Sequence, residues 1–327
     1  MKKKAFITGI NGQDGSWLAE LLLQRDYDVY GLIRRNSIVD NETARILPNV
    51  YDNIKVFYGD LSDYSTLARC LSEIQPDEIY NVAAQSQVRV SFQTPLYTLQ
   101  TNTIGVANIL EAYRQICPSA KFLQASSSEM FGNNFDDDRF QRETTPMHPV
   151  SPYGISKLAS YHLVRHYRRA YKLFACNSIC FNHTGPRRGD FTENRIIRMA
   201  VQIKLGLEQN LILGNLDCQR DFGDSRDYVN AMTMIINHDH SDDFVIATGD
   251  THSMRDICEY VFAKLDLNYI DYVIQDPKRF RPEELGYLRG DSTKIRDSLG
   301  WEPTINFNTT LDEMIEHWMA IYKMKEK

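Results

Sequence analysis

Four side chains in the middle of the chain have the types and spacing for acid–base chemistry. Ser127 and Glu129 follow a predicted strand, and Tyr153 and Lys157 stand four residues apart at the start of a predicted helix, where they share a face. A phenol has a pKa of about 10, so Tyr153 could act as a base near neutrality only beside a cation such as Lys157. The same spacing also occurs on ordinary amphipathic helices, so its meaning depends on the surrounding elements.

A glycine turn near the N-terminus is the first of those elements. A predicted strand at residues 3–8 runs into Gly9, Gly12 and Gly15, and a helical pattern of leucines follows. Glycines let the backbone approach a pyrophosphate closely, and the start of the helix favours its charge. The spacing is a variant of the dinucleotide fingerprint, and a plain tight turn is the alternative.

Paired arginines after the next predicted strand favour one cofactor. Residues 28–33 are followed by Arg34 and Arg35, at the position where NAD enzymes usually carry an acidic residue for the ribose 2′-hydroxyl. Arginine can instead accept the 2′-phosphate of NADP. The sequence therefore predicts NADP, with a pair of solvated surface charges as the alternative.

Strands and helices alternate through the first half of the chain. Further strands are predicted at 54–58, 78–82, 121–126 and 174–181, with helices between them. This alternation predicts an α/β fold, a doubly wound parallel (Rossmann) sheet with ligands at the carboxyl ends of its strands. We expect residues 1–181 to form the cofactor-binding domain that carries the catalytic residues. Residues 182–327 should form a smaller, mainly substrate-binding α/β lobe, interleaved with the first.

With a dinucleotide nearby, the four side chains could oxidise a sugar hydroxyl and then remove water. Tyr153 would take the hydroxyl proton while NADP⁺ takes the hydride from the same carbon. The ketone acidifies the neighbouring carbon, so Glu129 could take that proton and help the β-hydroxyl leave as water. Hydride return would give a 4-keto-6-deoxy sugar, with Ser127 hydrogen-bonded to the ketone.

Composition excludes several other classes of protein. The 43% hydrophobic and 24% charged fractions are typical of folded domains, and a net charge of −6 favours neither nucleic acid nor an anionic membrane. We find neither a signal-peptide core nor a run of about 18 apolar residues. Six cysteines without a CxxC pattern predict reduced thiols in the cytoplasm. His162 and His166 lack a third ligand, so no metal site is predicted.

Longer motifs carry a resemblance to a known family. The stretches GINGQDGSWLAELLL, SSSEMFG, SPYGISK, FNHTGPRRG, LGNLDCQRDFG and RPEELGYLRGD cover nearly the whole chain. With them the chain resembles the extended short-chain dehydrogenase/reductases and, within these, the GDP-mannose 4,6-dehydratases. The resemblance implies a lyase that uses NADP and a nucleotide-sugar substrate.

The resemblance also implies roles for individual residues. The catalytic set is Ser127, Glu129, Tyr153 and Lys157, and the substrate diphosphate and ribose would contact Asn182, Arg220, Arg281 and Glu284. The implied NADP contacts are Gly9, Ile10, Asn11, Gly12, Gln13, Asp14, Arg34, Arg35, Ser37, Asp60, Leu61, Val82, Ala83, Ala84, Gln85, Ser86, Tyr97, Lys157, His183 and Arg188.

Some positions depart from the family pattern. Ser127 stands where the family usually has threonine, Thr184 where it has glutamate, and Phe222 where it has tryptophan. In the family, the segment after the paired arginines packs against a neighbouring subunit, which implies a homo-oligomer, a dimer or a tetramer. The region before Arg281 is shorter than in many members and borders the sugar pocket. A GDP-heptose is therefore kept as an alternative substrate to GDP-mannose.

Two rival functions remain on sequence grounds. A nucleotide-sugar 4-epimerase or 4-keto reductase on the same scaffold needs Tyr153 and Lys157 but has no need of Glu129. The chain could also be a regulator that binds NADP without catalysis, but the presence of all four side chains argues against this. Glu129 is therefore the residue that separates a dehydratase from its rivals.

Overall fold

The computed structural model describes residues 2–35 and 45–325, and strands and helices alternate along them. The strands are β1 (Lys4–Thr8), β2 (Asp28–Ile33), β3 (Lys55–Tyr58), β4 (Glu78–Asn81), β5 (Lys121–Ser127), β6 (Phe174–Cys180), β7 (Asn182–Thr184), β8 (Leu211–Leu213), β9 (Gln219–Asp224), β10 (Asp243–Ile246), β11 (Thr251–Ser253), β12 (Val273–Gln275) and β13 (Tyr287–Leu288).

The helices are α1 (Gln13–Gln24), α2 (Pro48–Tyr51), α3 (Tyr64–Ile74), α4 (Val88–Gln93), α5 (Pro95–Leu99), α6 (Gly105–Ile116), α7 (Pro152–Tyr171), α8 (Thr192–Lys204), α9 (Ser225–Ile236), α10 (Met254–Lys264), α11 (Thr293–Leu299) and α12 (Phe307–Lys325). Short 3₁₀ turns lie at Ser128–Met130, Tyr269–Asp271 and Pro277–Arg279. Within the described ranges no helix is both long and apolar enough to cross a membrane.

A seven-stranded sheet in the order β10-β6-β5-β4-β1-β2-β3 forms the centre of the molecule. Every neighbouring pair in it is parallel. The chain winds outward from β1 in one direction to β3 and then returns to β4 on the other side, so a crevice opens at the carboxyl ends of β1 and β4. The predicted doubly wound α/β fold is confirmed.

Helices cover both faces of this sheet because each presents an apolar stripe. On one face, α1 and α9 bury Leu18, Leu22 and Met232. On the other, α3 and α6 bury Leu71 and Leu110. These side chains are fully inaccessible to solvent, and replacing one of the leucines with alanine would cost about 2–5 kcal/mol of stability. The sheet is therefore a rigid platform for the loops at its carboxyl edge.

The later part of the chain builds a second, smaller layer over that edge. Strand β9 pairs with β7, β11 and β13, and β8 pairs with β12. Helices α8, α10 and α12 enclose a separate apolar core around Ile197, Phe262 and Leu311. In contrast, β10 joins the large sheet, and Tyr228 of α9 and Ile295 of α11 lie in the large-sheet core. Residues beyond 182 thus contribute to both layers.

One predicted helix begins differently in the structure. Helices are expected between the predicted strands, but Gln100–Ile104 forms a π-helical turn ahead of α6, which runs from Gly105 to Ile116. The side chain of Asn102 in this turn donates to the Gln85 carbonyl at 3.0 Å and to Ser156 Oγ at 3.1 Å. Such tertiary hydrogen bonds are not visible in local periodicity, and they fix the loop that follows β4.

Candidate active site

Tyr153 and Lys157 are placed by the start of α7. Ser151 caps this helix, since its Oγ accepts a hydrogen bond from the Gly154 amide at 3.0 Å, and Pro152 occupies the first helical turn. Tyr153 is 8% exposed and Lys157 4% exposed, on the face that packs against the end of β5. The helix start therefore presents both groups to the carboxyl edge of the sheet.

Burial is the largest influence on the protonation of this pair. It lowers the pKa of Lys157 to about 8 and raises the pKa of Tyr153, an effect that a hydrogen bond from Ser127 opposes. The Lys157 ammonium donates to the Ala125 carbonyl at 2.8 Å and lies 5.8 Å from the centre of the Tyr153 ring. Tyr153 is thus a phenol in this state, and additional positive charge in the cavity would be needed to make it a base.

Glu129 lies in the 3₁₀ turn that directly follows β5. Its backbone amide donates to Ser127 Oγ at 3.2 Å, so the serine caps the turn that carries the carboxylate. Arg281 Nη1 donates to Glu129 Oε1 at 3.2 Å. Oε2 is buried and has no hydrogen-bond partner among the residues that the structure describes. The carboxylate is therefore held at one oxygen and open at the other.

All four side chains line one cavity of about 870 Å³ between the two layers. Its floor includes the turn from Gly9 to Gly15. Gly9 has a φ of +67°, and a Cβ there would lie 2.9 Å from Ala83 Cα. A Cβ on Gly15 would lie 2.3 Å from the Gly9 carbonyl oxygen. Gly12, the N-cap residue of α1, has no side chain to cap the helix amides, so this cradle fits the pyrophosphate of a dinucleotide.

A contact between the partly buried side chains of Asp14 and His183 connects the glycine turn to β7. His183 Nδ1 lies 2.8 Å from the Phe181 carbonyl oxygen, and Nε2 lies 3.0 Å from both carboxylate oxygens of Asp14. Both contacts of the imidazole are with hydrogen-bond acceptors, and they connect the ring to Phe181 and to Asp14. Burial alone would raise the pKa of Asp14, but the charge and hydrogen bond of His183 hold it at about 2.

The paired arginines after β2 separate in the structure. Arg34 lines the cavity and donates to the Tyr97 hydroxyl. Arg35 is exposed, lies over the Tyr58 ring with 5.5 Å between its guanidinium carbon and the ring centre, and is not part of the cavity wall. The third residue predicted for this end of the cofactor, Ser37, lies outside the described residues.

Most of the other predicted site residues line the same cavity. Among those that the structure describes, only Ile10 and Arg35 do not. The side chain of Ile10 is fully buried and packs where a Cβ on Gly31 would otherwise lie. The predicted substrate residues Asn182 and Arg220 lie on the wall, as do Arg281 and Glu284. The roles of these residues stay predictions, although the fold brings them together.

Sequence reasoning missed several cationic residues of the cavity wall, which are Arg45, Arg89, Arg195 and Arg279. Arg279 ends the 3₁₀ turn before Arg281, and the two arginines are separated by one residue. Two arginines one residue apart, directly before Pro282, could have indicated from sequence that Arg279 accompanies Arg281 at the cavity. Arg195, by contrast, is one charged residue among several on α8, and only the packing of α8 places it in the cavity.

Known proteins resemble this chain over nearly its whole length. The family model for GDP-mannose 4,6 dehydratase matches residues 6–314. GDP-mannose 4,6 dehydratase 1 of Arabidopsis thaliana is 42% identical, over 99% of this chain and 92% of that protein. GDP-mannose 4,6-dehydratase of Vibrio cholerae is 41% identical, over 96% of this chain and 93% of that protein.

Solved structures share the fold at lower identity. RMD from Pseudomonas aeruginosa, complexed with NADPH, has a TM-score of 0.80 and 25% identity, and the match covers 98% of this chain and 100% of that one. A Bacillus anthracis dTDP-glucose 4,6-dehydratase in complex with NAD has a TM-score of 0.83 and 21% identity, with 98% of each chain covered. With the family model and the close relatives in agreement, the chain belongs to the GDP-mannose 4,6-dehydratase family.

Proposed function

We propose that this protein is a nucleotide-sugar 4,6-dehydratase that converts GDP-mannose to GDP-4-dehydro-6-deoxy-mannose. The observation that carries the proposal is the position of Glu129, whose buried carboxylate shares a cavity with Ser127, Tyr153 and Lys157. The family relationship supports the nucleotide and the sugar. An epimerase or a keto reductase would leave the buried carboxylate without a chemical role.

Each side chain has a defined task in this reaction. Tyr153 removes the proton of the C4 hydroxyl, and Ser127 hydrogen-bonds the resulting ketone oxygen. Glu129 takes the proton from C5 and delivers it to the C6 hydroxyl, which leaves as water. A bound nicotinamide dinucleotide would accept hydride from C4 and return it to C6. C5 then gains a proton equivalent to the one Tyr153 removed, so the protein ends the cycle unchanged.

We propose NADP as that cofactor. The turn from Gly9 to Gly15 would hold its pyrophosphate, and Lys157 would reach the nicotinamide ribose. Arg34 supports the choice of NADP because its guanidinium lies at the end of β2, where a 2′-phosphate would arrive. The NADPH complex of the Pseudomonas aeruginosa relative agrees with this choice.

The direct test is incubation of the purified protein with GDP-mannose and a catalytic amount of NADP⁺. We expect a product that is lighter than the substrate by the mass of one water, with no net reduction of the cofactor. GDP-heptose, tested in parallel, would show whether the sugar pocket prefers the larger substrate. If no GDP-sugar lost water, the proposal would be wrong.

We also propose that the protein forms a homo-oligomer, a dimer or a tetramer, in the cytoplasm. Leu96, Ile104 and Ile155 are 80%, 47% and 49% exposed on neighbouring helical segments, an apolar surface that a second subunit could cover. The cysteines among the described residues are free and buried, which suits a reducing compartment. Light scattering during gel filtration and cell fractionation would test these two points.

A further inference from the structure

The contact between Arg281 and Glu129 joins a residue of the chemistry to a residue of substrate binding. Arg281 Nη1 donates to Glu129 Oε1 at 3.2 Å across the cavity. In the proposed function, Glu129 must take a proton from C5, whereas Arg281 is expected to bind the substrate diphosphate. The Glu129 oxygen that accepts from Arg281 must give up this hydrogen bond before it can take a proton. The contact seen here therefore opposes the task assigned to Glu129.

The two partners differ in their freedom to move. The Glu129 side chain is 11% exposed and belongs to the turn fixed by Ser127, whereas 27% of the Arg281 side chain is exposed. The backbone of the Arg281 segment is secured separately, because the Arg281 amide donates to Glu284 Oε1 at 2.7 Å and Asn133 bonds the Glu284 carbonyl at 3.1 Å. The guanidinium can thus change partners while its backbone stays in place.

Other charges in this region favour an anion. Arg220 is 6% exposed, lines the same part of the wall, and is held by its bonds to the carbonyls of Gln219 and Leu285, both at 2.8 Å. Arg279 lies two residues before Arg281 on the same wall. A diphosphate placed among these arginines offers Arg281 a stronger, bidentate partner than the single oxygen of Glu129.

We infer that Arg281 has two alternative partners, Glu129 in the free enzyme and the substrate diphosphate in the complex, so that nucleotide binding releases Glu129 for proton removal. This inference rests on the proposed function and extends it. Arg281 holds the Glu129 carboxylate while the cavity contains no substrate. The carboxylate becomes an effective base only once the diphosphate has drawn Arg281 away, which ties the elimination step to a correctly bound nucleotide.

Competition for Arg281 can be measured without catalysis, with GDP as the probe and the enzyme saturated with NADP⁺. In E129Q the competing charge is gone, so we expect calorimetry to give GDP binding that is tighter by roughly 3- to 30-fold than in the wild type. In the R281Q background the same E129Q change should leave GDP affinity unaltered. E283Q removes the same charge from an exposed residue outside the cavity wall, and it should bind GDP as the wild type does.

The outcomes separate the inference from the proposed function. Equal GDP affinity of E129Q and wild type, or the same tightening in the R281Q background, would overturn the inference and leave the dehydratase proposal standing. A wild-type enzyme that bound no GDP would overturn both. Should R281Q fail to fold, R281K replaces it, since lysine lacks the bidentate geometry and the effect of E129Q should shrink there.

Discussion

Replacing Lys157 with methionine tests the electrostatic description of the site. Lys157 is buried, and burial lowers the pKa of its ammonium from 10.5 to about 8. The unfolded chain then binds more protons than the folded one between about pH 8 and pH 10.5, so wild-type stability should rise with pH through this window. The full rise is about 3 kcal/mol, and K157M should lack it.

The assay is urea unfolding of wild type and K157M between pH 7 and pH 10. The difference in unfolding free energy should move in favour of the wild type by about 2–3 kcal/mol as pH rises. K55M, at an exposed residue of β3, controls for the change in net charge. In K157M the Ala125 carbonyl keeps its bond from Gln124 Nε2 at 2.9 Å, which limits secondary damage. A difference that stayed constant with pH would refute this description of Lys157.

Three further substitutions test the assigned roles. E129Q should still reduce NADP⁺ with GDP-mannose, but its rate of water elimination should fall by about 100- to 10,000-fold, as measured by mass spectrometry of the product. Near-normal turnover would favour an epimerase or reductase. Y153F should slow the oxidation step by a similar factor while GDP affinity changes little, and an equal loss of binding would contradict its role as the base. R34A should weaken NADP⁺ binding by about tenfold or more and NAD⁺ binding far less. R35A is the matched control. Equal effects of the two variants on NADP⁺ affinity would argue against Arg34 as the contact of the 2′-phosphate.

The parallel sheet could be predicted from the sequence because strands and helices alternate with clear apolar patterns. Strand β2 has the predicted bounds, Asp28–Ile33, since a polar turn and two arginines delimit it. The π turn at Gln100–Ile104 could not be predicted, because it depends on hydrogen bonds from Asn102 to residues distant in sequence. Local pattern therefore determined the elements, and tertiary contacts determined the irregular turn.

The same division applies to the site. Tyr153 and Lys157 could be paired from sequence because one helical turn separates them. The contact between Glu129 and Arg281 spans 152 residues and depends on the segment before β13 folding back over the sheet. The separation of Arg34 from Arg35 also needed coordinates, because it depends on contacts with Tyr97 and Tyr58 in other elements. Residue spacing predicted contacts within one element, whereas contacts between elements could not be predicted from the sequence.

In the proposed reaction, hydride leaves C4 and returns to C6 of the same sugar while Glu129 directs the loss of water. The most direct measurement uses GDP-mannose carrying deuterium at C4, with catalytic unlabelled NADP⁺, and locates the label in the product by NMR. We predict deuterium in the C6 methyl group of a product that has lost water. Deuterium retained at C4, or a product that has not lost water, would rule out this reaction.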